Sequence, residues 1–166
     1  MPPKWASSIS KSVGYFVIMI SGIFYIQRVV SEPLEKVTAI ALSAIGIVGV
    51  LSAICYQAVP CFDNDHNREE VLYAGEKFLH SALLIIQTLF LKFALDQIVS
   101  FEFVKNTAWL KILSSGSFSF LIVGIGSFAL YFACYGFDAL NTFLWKQYEL
   151  RMEKINITEK KKKKKR

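Results

Sequence analysis

The residues of this chain that could do chemistry are few, and most of them lie inside long apolar runs. On a helix, Glu76, His80 and Gln87 share one face, while Lys92 and Asp96 lie nearly opposite and four residues apart. Two chemistries suit a Lys92–Asp96 pair. As an interfacial pair, Lys92 stands about 22 Å along the helix from Lys77, and its stem is long enough to snorkel to the headgroups. As an intramembrane pair facing a bundle interior or a pore, it would mark a functional site, because charge in lipid is costly. His80 falls barely a turn inside the expected membrane boundary, where a hydrogen-bonded interface histidine is the simpler reading than a proton relay. Asp138 mirrors it, within reach of Lys146 along its own helix, or of His80 if the two helices pack.

Recognised catalytic patterns are missing. The sequence holds no Gly-rich phosphate loop, HExxH, paired CxxC or nucleophile–base arrangement, so the expected protein is not an enzyme and needs no cofactor. The run Asp63-Asn64-Asp65-His66-Asn67 opens like a calcium loop, but its sixth position is Arg68 instead of Gly and its twelfth is Ala74 instead of Glu. It reads as a polar turn leading into a helix, with Asn67 and Glu70 at the spacing of an N-cap and its third residue. Cys55, Cys61 and Cys134 have neither zinc spacing nor a second ligand pair, and read as small side chains near helix ends.

The elements that must position these residues are apolar helices. Of 166 residues, 54% are hydrophobic and 19% charged, and the mean hydropathy is +0.40; a soluble domain carries about 25% charge. Uncharged stretches of 16, 26, 14 and 26 residues lie after Lys11, Lys36, Lys77 and Lys111. About 20 apolar residues span a bilayer, which makes the second and fourth the clearest spans and the third, interrupted by Lys92 and Asp96, the least regular. The expected architecture is all-α: four transmembrane helices in a compact bundle, at about 13–30, 37–56, 78–101 and 117–144. A loop at 57–77 carries a helix from about Arg68 into the third span. Small residues thin the spans at Gly14, Gly22, Ala39, Ser43, Gly46, Gly49, Ala53, Gly124 and Gly126, where helices can approach closely.

Basic residues orient this layout. Fourteen Lys and Arg fall on the side that holds both termini and the 57–77 loop, against four on the other side, so both termini are expected in the cytosol. Seven of the fourteen form the tail Lys160, Lys161, Lys162, Lys163, Lys164, Lys165 and Arg166. The formal charge of +6 therefore belongs to one end of the chain. Without basic residues spread over a folded face, the folded part is not expected to bind nucleic acid. The tail, residues 151–166, has three expected uses: anionic lipid headgroups, an acidic cytosolic protein, or endoplasmic reticulum retrieval through Lys163 and Lys164.

Size, span count and cationic tail resemble the small four-span membrane subunits of bacterial phage-defence systems, such as the membrane component of the Kiwa system. Phage holins have a similar layout. The first resemblance implies an oligomeric inner-membrane sensor or anchor that docks a cytosolic effector. The second implies an oligomeric pore; independently of it, copies assembled around the third span would let Lys92 and Asp96 line a water path.

Overall fold

The computed structural model describes residues 4–62 and 64–164, with side chains described at 7–62, 64–155, 157 and 158. Its helices are α1 (Lys4–Ser31), α2 (Leu34–Ala58), α3 (Asp65–Ser100), the single turn α4 (Glu102–Lys105) and α5 (Ala108–Lys164), with a 3₁₀ turn at Val59–Cys61. No strand occurs among the described residues. Four helices, at Ser7–Ser31, Leu34–Cys61, Asp65–Ser100 and Ala108–Ile155, are long and apolar enough to cross a membrane. By length and composition the chain is an integral membrane protein.

Local chemistry accounts for the breaks between helices. Glu32 and Pro33 alone separate α1 from α2, and the fixed φ of Pro33 (−64°) starts α2 while its carbonyl accepts from the Val37 amide. Pro60 tightens the end of α2 into the 3₁₀ turn. Asn64, in extended conformation, caps α3 by accepting from the His66 amide at 3.0 Å. The expected cap, Asn67, is already inside the helix. Most of the expected loop at 57–77 is helical because nothing in residues 65–77 breaks a helix, and the pairs Asp65–Arg68 and His66–Glu70 support its first turns. All four long helices outrun the expected spans, and α5 does so most. Asp63 lies outside the described residues, as do Lys165 and Arg166 and the side chains of Lys160 to Lys164.

α3 is the central helix, packing along both α5 and α2, while α1 lies chiefly against α5. Near the α1–α2 junction, Tyr25, Val29, Val37, Ala41, Ile85 and Ile122 form one buried cluster. Toward the termini, Cys55, Val71, Ala74, Phe78 and Phe143 form a second. Glycine makes the close approaches possible. Gly14 receives the Phe137 ring, Gly22 receives Leu130, Gly126 receives Ile26, and Gly136 receives Phe78. Gly46, Gly49 and Gly124, expected to serve the same purpose, have open space where a Cβ would be.

Hydroxyls add bonds between helices. Ser52 donates to the Gly75 carbonyl and Ser81 to the Ala129 carbonyl, each at 2.9 Å. Tyr25 and Thr88 share a hydrogen bond of 2.6 Å, and Thr88 also donates to the Ile85 carbonyl. Gly22→Leu should cost about 1–3 kcal/mol by overpacking against Leu130. Gly46→Ala should be neutral or stabilise by up to about 1 kcal/mol, since it loses only glycine's helix penalty. Thermal unfolding of the two variants in detergent checks the contrast.

Candidate functional site

The polar side chains separate into two layers. On the side of the termini, α1, α3 and α5 bring together a network of charges. Lys11 sits 2.7 Å from the Asp138 carboxylate and donates to the Thr142 hydroxyl at 2.9 Å. One turn away, Ser10 donates to Asn141 Oδ1 at 3.2 Å, while the buried Asn141 Nδ2 has no partner among the described residues. Lys146 grips both oxygens of Glu70, at 3.1 and 3.3 Å, and His66 Nε2 lies 3.1 Å from the same carboxylate. A cavity of about 460 Å³ opens between these groups, with Glu69, Glu70, Asp138 and His66 on its walls.

This pairing corrects two expectations. Asp138 meets neither Lys146 nor His80. Its partner is Lys11, because α1 packs on α5 at this level, and Lys146 is taken by Glu70 across the α3–α5 contact. His80 instead bonds the Glu76 carbonyl through Nδ1 at 2.8 Å, with its ring 5.5 Å from that of Phe132. It belongs to an outward-facing aromatic group in which Lys77 lies 4.5 Å from the Tyr73 ring and Tyr131 lies 4.6 Å from Tyr135. Such rings, polar at one edge, suit the membrane interface. Charge spacing marks Lys77 as a span boundary, but only the tyrosines beside it, Tyr73 and Tyr131, signal the aromatic group.

On the opposite side, Arg28 pairs with Glu32, which also lies 3.7 Å from Lys36. Lys92 and Asp96 form the expected pair at 3.5 Å. Lys92 is only 6% exposed and so lies inside the protein instead of along the lipid, whereas the Asp96 side chain is 39% exposed. Lys92 is eight residues, or about 12 Å, from the end of α3. A charge held there depends on its carboxylate, since a low dielectric strengthens the attraction and penalises either ion alone.

Among the described residues no group of three or more His, Cys, Asp or Glu side chains could hold a metal ion. Cys55 is buried against Gly75, Cys61 is exposed, and the two are not bonded to each other. No family model matches the chain, and no curated protein or solved structure matches it either.

Asp96→Leu should strand the Lys92 ammonium and destabilise the protein by about 3 kcal/mol. The double variant with Lys92→Met should recover most of that loss. Unfolding midpoints of the single and double variants in the same detergent measure the coupling.

Proposed function

We propose that this protein is a non-enzymatic membrane component that anchors or senses at the bacterial inner membrane and works with a cytosolic partner docked on its C-terminal extension. One observation carries the reading: α5 does not end with its apolar stretch but continues as helix to Lys164. At 1.5 Å per residue, a continuous helix carries Lys160 about 21 Å beyond Lys146. Electrostatic attraction fades over about 8 Å at physiological salt, so a charge cluster at that distance suits a soluble acidic surface better than the headgroups around its own spans. The terminal charge network stiffens the base of this extension, since Lys146 ties α5 to α3 and Lys11 ties it to α1.

The resemblance to four-span phage-defence subunits agrees with this reading and supplies its biological setting. A pore lined by Lys92 and Asp96 has less support, because Lys92 turns into its own chain. Purification in mild detergent should recover a cytosolic protein with the full chain. Truncation after Glu159 should lose that protein while leaving membrane insertion intact. Retention of the partner without the basic residues would overturn the docking role. Rapid depolarisation on expression of the chain alone would favour the pore.

A further inference from the structure

The two N-terminal helices form a wedge. They meet near their junction, where Val29, Val37 and Ala41 are fully buried, and they hardly touch elsewhere. Toward the termini α1 follows α5, through Gly14 and Phe137 and through Lys11 and Asp138, while α2 follows α3 through Ser52 and Gly75. The divergence leaves a cavity of about 260 Å³ at mid-depth in the spans. Val17 on α1 and Ile47 on α2 line it and remain 56% and 65% exposed, so it opens sideways. Its floor is buried Phe78 and Ile85.

The surroundings decide what fills it. The opening faces hydrocarbon, and of the three hydroxyls on its wall those of Tyr25 and Ser81 are already bonded to Thr88 and Ala129, leaving Ser21 as the one polar group at the otherwise apolar rim. Apolar cavities of about 150 Å³ stay free of water and accept hydrocarbon ligands, so this larger one excludes water and takes methylenes. Along α1, from Val17 to Tyr25, it runs about 12 Å, close to the roughly 15 Å that one leaflet contributes to a 30 Å core. The closed junction blocks approach from one leaflet and leaves the wedge open to the other, on the side of the termini. At headgroup depth on that side, about 9 Å beyond Val17, Lys11 is already paired with Asp138 at 2.7 Å, so the wedge selects for an acyl chain and not for a particular headgroup.

We propose that the wedge between α1 and α2 is a binding site for one acyl chain of a glycerophospholipid from the leaflet nearer the termini. The chain's distal carbons lie against Phe78 and Ile85, and its occupancy holds α1 and α2 apart. This does not depend on the docking role of the C-terminal extension.

The test reconstitutes the full chain in phosphatidylcholine vesicles that contain a lipid with a diazirine in the distal half of one acyl chain. After illumination, peptide mass spectrometry maps the adducts. Labelling at Val17, Ile47 and Leu51 should exceed by several-fold that at Phe120, which is 79% exposed on α5. Val48→Trp, which fills the cavity from its α2 wall, should abolish the excess and leave Phe120 labelling unchanged. If Val48→Trp also changes Phe120 labelling, the smaller Ala44→Leu decides by the same comparison. Equal labelling of the wedge and Phe120 in the unaltered protein shows ordinary surrounding lipid and overturns the proposal. So does an excess that survives filling of the cavity.

Discussion

A helix surrounded by lipid gains nothing from hiding an apolar side chain against another apolar side chain, because the bilayer offers the same environment. Contacts between the helices therefore depend on close approach and on polar groups that prefer a protein partner to hydrocarbon. Both occur along α3. Gly75 and Gly136 let the α2–α3 and α3–α5 interfaces close, and Ser52 and Ser81 each donate to a carbonyl of the neighbouring helix. The large outward side chains, with Phe16, Phe90, Phe120 and Phe128 all exposed, face the only solvent that suits them.

The same constraint explains where charge sits. Ionic groups gather at the ends of the spans. On one side Lys11 pairs with Asp138 and Lys146 with Glu70, and on the other Arg28 pairs with Glu32. Lys92 is the exception, inside the protein well before the end of α3, and it is tolerated because Asp96 stands one turn away. The pair adds little net stability, since an ion pair taken out of water roughly offsets its own desolvation, but losing one partner is costly.

Packing is uneven around the central helix, and this connects the fold to the proposed roles. α3 and α5 share a long interface, which supports the extension of α5 beyond the spans. α1 is held by glycine contacts to α5 and a short junction to α2, leaving the wedge open between α1 and α2. Lipid occupancy at the wedge and partner binding on the extension would meet at α5, which contacts α1 along one face.

Much of this was legible from composition and spacing alone. The four apolar stretches appear as helices because a segment in hydrocarbon must satisfy every amide within itself, and the Lys92–Asp96 spacing predicts their pairing because four residues make one turn. Gly14, Gly22 and Gly126 were recognisable as contact points, but nothing local distinguished them from Gly46, Gly49 and Gly124, which touch no neighbour. Asn67, at capping spacing from Glu70, was the cap the sequence suggested, but Asn64 takes that place because the backbone is extended there. The tertiary structure alone decided that Asp138 pairs with Lys11, that Lys92 lies inside the protein and that α1 and α2 diverge. Each of these depends on which helices adjoin and on their rotation about their axes. Hydropathy along one chain sets the length of a span, whereas its neighbours and its inward face follow from side-chain shapes on helices far apart in the sequence.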